Sequence, residues 1–136
     1  MTIIVDTNVV LSAAIRDRLP QRVIEEIASR EDCFWIVTSE IALEYREVLS
    51  RPKFNIPAPT LQKWIAFLEA ATIRFETSAR QPSFLRDPKD VLFLAAALAS
   101  EADYLITGDK DFIEAQRLVT SRIVTVAEFA RLFGIT

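Results

Sequence analysis

Apolar and polar positions along the chain alternate between two periods. Ile3-Ile4-Val5 is a short β-branched run with no polar partner, the pattern of a strand buried on both faces. Asp6-Thr7-Asn8 then supplies helix-starting residues, followed by Val9, Val10, Leu11 and Ile15. A second helix is predicted from about Pro20 to Ser29, with Val23, Ile24 and Ile27 facing inward. Phe34 to Thr38 reads as a strand, and Ser39 as the N-cap of a helix through Leu49. Pro52, Pro57 and Pro59 make 51–59 the most irregular connection; a helix over 60–71 and a strand over 73–75 follow.

A polar loop over 77–86 leads to Asp87-Pro88-Lys89-Asp90, which opens the most apolar helix, 91–99. Tyr104 to Thr107 is a strand ending in a turn at Gly108, before a short helix, a strand over 123–126 and a last helix over 127–133. Strands alternating with helices predict an α/β fold around a mainly parallel sheet. At 136 residues, with no repeat or long linker, the chain is expected to form one domain over 1–136.

Composition narrows the chemistry. The chain is 51% hydrophobic and 26% charged, the profile of a globular protein. Its 2 glycines exclude a glycine-rich phosphate loop. With 1 cysteine no intrachain disulfide can form, so a cytoplasmic location is the expectation. The N-terminus lacks the basic and long apolar regions of a secretory signal, and the 91–99 run is too short to span a bilayer. No membrane association is expected. A net charge of −3 argues mildly against polyanion binding, an objection that weakens if acids gather around a metal ion. Having 0 histidines removes imidazole acid–base pairs, Ser-His-Asp triads and His-ligated zinc.

What remains is carboxylate chemistry. Ligands of an open parallel sheet bind beyond the carboxyl ends of its strands. Asp6 directly follows the first strand, and Asp109 lies two residues beyond Thr107, so both acids belong to that edge with Thr7, Asn8 and Thr107. Each has a structural alternative: Asp6 could simply cap the following helix, and Asp109 the one containing Phe112 and Ile113. Asp87 and Asp90 match a capping-box spacing around Pro88, with Asp87 the better cap and Asp90 the better placed for a site. Glu44 flanks the stripe Ile41, Tyr45 and Val48, whereas Glu40 and Glu47 turn further toward solvent; a solvated role is equally consistent with its spacing. Clustered acids repel one another, and Mg²⁺ or Mn²⁺, hard cations that favour oxygen ligands, would relieve the repulsion.

The segments Ile3-Ile4-Val5-Asp6-Thr7-Asn8, Asp87-Pro88-Lys89-Asp90 with Phe93-Leu94-Ala95-Ala96-Ala97, and Ala102-Asp103-Tyr104-Leu105-Ile106-Thr107-Gly108-Asp109-Lys110-Asp111-Phe112 together resemble the PIN-domain nucleases. The likeness covers essentially the whole chain and is nearest to the small prokaryotic VapC-like toxins of toxin–antitoxin pairs. It implies a Rossmann-like three-layer sandwich and a Mg²⁺- or Mn²⁺-dependent endoribonuclease that leaves a 5′-phosphate and a 3′-hydroxyl. It further implies catalytic acids matching Asp6, Glu44, Asp90 and Asp109, with Asp6, Asp90 and Asp109 on the metal and Asn8, Thr107 and Asp111 in support. Glu40 or Glu47 in place of Glu44, Asp87 in place of Asp90, and Asp111 in place of Asp109 stay open.

RNA is the implied substrate, and an antitoxin protein and a second copy of the chain the implied partners. Arg16, Arg18, Arg46, Arg51, Lys53, Arg86, Lys89 and Lys110 are candidate backbone contacts or ordinary surface charges. Trp64, Phe67 and Leu68 form either a self-association patch or core. Two rival functions differ in class. One is a catalytically silent PIN-fold module that binds RNA or protein. The other is a haloacid-dehalogenase-type phosphatase, which wants a second aspartate where Asn8 stands.

Overall fold

The computed structural model describes residues 1–15, 18–76 and 88–136; the side chains of Pro88, Lys89, Asp90, Lys110, Asp111 and Ile113 also lie outside the described set. The chain runs β1 (Thr2–Val5), α1 (Thr7–Ala14), α2 (Arg18–Ser29), β2 (Phe34–Val37), α3 (Ser39–Leu49), a 3-10 turn (Pro52–Phe54), α4 (Ala58–Ala71) and β3 (Thr72–Arg74). It continues with α5 (Pro88–Ser100), β4 (Tyr104–Ile106), a 3-10 stretch (Lys110–Leu118), β5 (Arg122–Val124) and α6 (Val126–Phe133). The loop expected over 77–86 lies outside the described residues, as does Asp87.

Among the described residues the strands form one sheet in the order β3-β2-β1-β4-β5, every neighbouring pair parallel. Successive strand residues point to opposite faces, yet Ile3, Ile4 and Val5 are all 0% exposed. Both faces at β1 are therefore covered, as that unbroken apolar run predicts, and the result is the three-layer α/β sandwich that the resemblance implies. The strand order reverses direction at β1, so β1 and β4 border the crevice where such sheets take ligands. Register pairs Ile3 with Tyr104, Ile4 with Leu105 and Val5 with Ile106. One step further, Asp6 stands beside Thr107, and the Asp6 amide donates to the Ile106 carbonyl at 2.9 Å.

Element ends differ from expectation where two residues compete for one role. Thr38, not Ser39, caps α3: its hydroxyl accepts from the Ile41 amide at 3.1 Å, and Ser39 is the first helical residue. The last helix starts at Val126 rather than 127, because Thr125 caps it instead of extending β5: its hydroxyl accepts the Glu128 amide at 3.1 Å and donates to the Glu128 carboxylate at 3.2 Å. The short helix expected after Gly108 is a 3-10 stretch. Leu68 is buried, and Trp64 and Phe67 pack against the same core in edge-to-face contact at 5.5 Å, so these three residues take the core role.

Gly134 ends α6 at φ 65°, in the left-handed region, and the Ile135 amide beyond it bonds the Ala130 carbonyl at 2.8 Å. A Cβ there would meet no atom within 4 Å, so backbone strain is the only penalty. Gly134→Ala is expected to cost about 1 kcal/mol in a urea melt; an unchanged midpoint would show that the cap contributes nothing.

Candidate active site at the carboxyl edge of the sheet

Asp6 occupies the N-cap position of α1, and its carboxylate lies near the Asn8 amide without closing a full capping hydrogen bond. The carboxylate, only 5% exposed, instead accepts a hydrogen bond on Oδ2 from the Thr107 hydroxyl at 2.9 Å. The alternative in which Asp6 serves only as a cap is thereby weakened. Burial pushes its pKa up from 3.8 to about 6; the Thr107 hydrogen bond and the Asn8 amide pull it down, and the nearby charges of Glu44 and Asp109 push it up again. A buried carboxylate with two further acids in electrostatic reach is a site poised for a cation or a proton.

Thr107 is itself buried and makes two hydrogen bonds through one hydroxyl. Besides donating to Asp6, that oxygen accepts the backbone amide of Asp109 at 3.1 Å. Asp109 is half-buried, and its carbonyl accepts the Phe112 amide at 3.2 Å, which opens the 3-10 stretch. A groove of about 640 Å³ runs from Asp109 and Gly108 past Asn8 and Ser12 to Pro20 and Val126. Asn8 is exposed on its wall, within reach of a ligand entering from solvent.

Glu44 arrives from α3. It is half-buried, and one of its oxygens accepts the hydroxyl of Thr7, the residue after Asp6. Glu40 is exposed, and Glu47 is exposed and faces Arg51 at 3.5 Å. Of the three helix glutamates, Glu44 is thus the one brought to Asp6. Tyr45, whose spacing marks it as core alone, also makes polar contacts. Its hydroxyl donates to the Val5 carbonyl and accepts the Trp35 indole N–H at 3.4 Å. Burial keeps that phenol protonated well above its ordinary range, opposed by the Trp35 bond and reinforced by the charges of Asp6 and Glu44.

Asp103 shows the contrast. It lies in the same sequence motif but at the opposite end of β4, where its carboxylate accepts the Thr2 amide at 2.8 Å and its carbonyl the Arg122 amide at 2.9 Å. It stitches β1, β4 and β5 together and takes no part in the site. Asp90 falls in the first turn of α5; its side chain and that of Asp111 lie outside the described residues. So do Arg16 and Arg86 and the side chains of Lys89 and Lys110, while Arg46 pairs with Glu69 at 2.8 Å on the surface.

Among the described residues, no three acidic, cysteine or histidine groups converge enough to hold a metal ion by themselves. The acids within electrostatic reach of one another, Asp6, Glu44 and Asp109, offer hard oxygens, and among the described residues the ion pairs leave Asp6 and Glu44 without a cation. Hard oxygen ligands of this kind fit Mg²⁺ or Mn²⁺ rather than a softer metal. Among the described residues no helix is long and apolar enough to cross a membrane.

A protein-family model described as PIN domain matches residues 2–111. Among solved structures, the chain resembles the crystal structure of VapBC2 from Rickettsia felis bound to a DNA fragment from their promoter. The TM-score is 0.64 at 16% identity, over 92% of this chain and 98% of that one. No curated protein matches the chain in sequence.

Proposed function

This chain belongs to the PIN-domain family, and on that premise we propose that it is a divalent-metal-dependent endoribonuclease, the toxin of a toxin–antitoxin pair. The carrying observation is the buried Asp6 carboxylate, held by Thr107 at the strand-order reversal with Glu44 and Asp109 in electrostatic reach. In this reading Asp6, Asp90 and Asp109 hold Mg²⁺ or Mn²⁺, and Glu44 orients the attacking water and takes its proton. Asn8, Thr107 and Asp111 support the acids. A bound divalent ion supplies a more acidic water and neutralises charge on the phosphodiester. Thr107 keeps Asp6 ionised and aimed, and the groove beside Asn8 and Ser12 admits the strand.

The proposal extends to residues 1–136 acting as one domain in the cytoplasm, as a homodimer, with an antitoxin protein as partner. The likeness to VapBC2 supports the partner. The test is cleavage of single-stranded and transfer RNA with Mg²⁺ or Mn²⁺, with EDTA and Asp6→Asn as controls. Cleavage is expected to vanish in EDTA and to fall at least about 100-fold in Asp6→Asn. An Asp6→Asn protein that cleaves like wild type would overturn the site assignment. RNA binding without cleavage by the wild type would favour the catalytically silent module.

A further inference from the structure

The helix carrying Glu44 is tied to the β1–α1 junction by two adjacent side chains. Glu44 accepts the Thr7 hydroxyl, and Tyr45 donates its own hydroxyl to the Val5 carbonyl. Val5 and Thr7 flank Asp6 in the chain, so α3 is fastened on either side of that carboxylate. Both anchors are buried, Thr7 at 5% and Tyr45 at 2% exposure, where an unmade hydrogen bond is costly. Trp35 completes the fixture by donating its indole N–H to the Tyr45 oxygen at 3.4 Å.

Apolar packing of Ile41, Tyr45 and Val48 sets how α3 lies on the core, but it does not choose a rotamer for Glu44. A half-buried glutamate has three rotatable bonds and would otherwise sample water. The Thr7 hydroxyl is held at the first position of α1, one residue from Asp6, and gives that carboxylate a fixed donor.

We propose that Thr7 and Tyr45 are positioning residues that fix Glu44 against Asp6 and influence the reaction only through that placement. This rests on reading the site as a metal-dependent ribonuclease. Thr7 sets the orientation of the Glu44 carboxylate, and Tyr45 sets the height of α3 against the end of β1.

Steady-state RNA cleavage by Thr7→Val, Thr7→Ser, Tyr45→Phe and Thr7→Val/Glu44→Gln tests it. Thr7→Val should lower kcat about 10-fold or more with KM within about 2-fold, since misplacing a reacting group costs rate rather than binding. Thr7→Ser restores the hydroxyl and should stay within about 3-fold of wild type, while Tyr45→Phe should lower kcat several-fold. Thr7→Val combined with Glu44→Gln should be no slower than Glu44→Gln alone, because Thr7 acts through Glu44. A double variant that loses the product of the two single losses overturns the proposal, as does a Thr7→Val protein that turns over like wild type. A second readout needs no turnover: in EDTA, the melting-temperature changes of Thr7→Val and Glu44→Ala, each of which removes the hydrogen bond, should be non-additive. Additive changes overturn the tie whether or not the chain cleaves RNA, whereas a wild type that does not cleave overturns the ribonuclease reading.

Discussion

Asp6→Asn is expected to stabilise the metal-free protein at pH 7.5 by up to about 3 kcal/mol while removing the proposed ribonuclease activity. Asp6 is 5% exposed, and its pKa is raised from 3.8 to about 6, chiefly by burial. A carboxyl whose folded pKa lies above its unfolded value favours the folded state while it is protonated. Its destabilising effect is absent below about pH 4, grows as pH rises toward 6, and is constant above that. At about 1.4 kcal/mol per pH unit, the interval from 3.8 to about 6 corresponds to about 3 kcal/mol.

Asparagine carries no charge and keeps an oxygen to accept the Thr107 hydroxyl, so the substitution removes the electrostatic cost and spares the hydrogen bond. Urea and thermal melts in EDTA between pH 4 and 8 check this. The wild type should lose stability between pH 4 and 6, and Asp6→Asn should lose much less, with a melting temperature higher by roughly 5–10 °C at pH 7.5. A variant less stable than wild type at pH 7.5 would mean that the carboxylate is not held buried and uncompensated. Such a residue is kept for something other than folding, which is why activity and stability should move in opposite directions.

Much of this arrangement was legible in local pattern. Three consecutive β-branched residues announce a strand covered on both faces, and an acid after it falls on the ligand-binding edge. Helical spacing put Glu44 on the flank of the α3 stripe and Glu40 and Glu47 further out, as observed. What pattern could not show is which distant residues become neighbours. Asp6 meets Thr107 because of the β1–β4 register, a tertiary choice far apart in sequence. The hydroxyls of Thr7 and Tyr45 are invisible for another reason: periodicity reports that a residue is buried and is silent on what its polar atom touches. Tyr45 therefore reads as apolar stripe, although its hydroxyl fastens α3 to β1. At the caps, Thr38 and Ser39 are chemically equivalent candidates. The choice falls to β2, whose pairing with β3 ends at Val37 opposite Arg74 and leaves Thr38 in the capping position.

Under the proposed ribonuclease function, replacing Thr107 by valine should move the pH at which metal-dependent cleavage appears upward by about 1–2 units. The Thr107 hydroxyl is the strongest influence holding the Asp6 pKa down, and it acts on a carboxylate already raised to about 6. A hydrogen bond to a charged group contributes about 1.5–3 kcal/mol, which at about 1.4 kcal/mol per pH unit gives that displacement. Valine keeps the shape and loses the donor, so Asp6 would hold its proton to higher pH, and a protonated carboxyl is no ligand for a divalent ion. The same change leaves the Asp109 amide without its Thr107 acceptor, a further destabilisation of about 1–3 kcal/mol. Thr107→Ser separates these effects from a loss of packing, because it restores the hydroxyl and removes only a methyl group. In pH–rate profiles at subsaturating Mg²⁺, Thr107→Ser should follow wild type while the rising limb of Thr107→Val moves to higher pH. A Thr107→Val limb that coincides with wild type would show that Asp6 does not govern the ionisation on which cleavage depends.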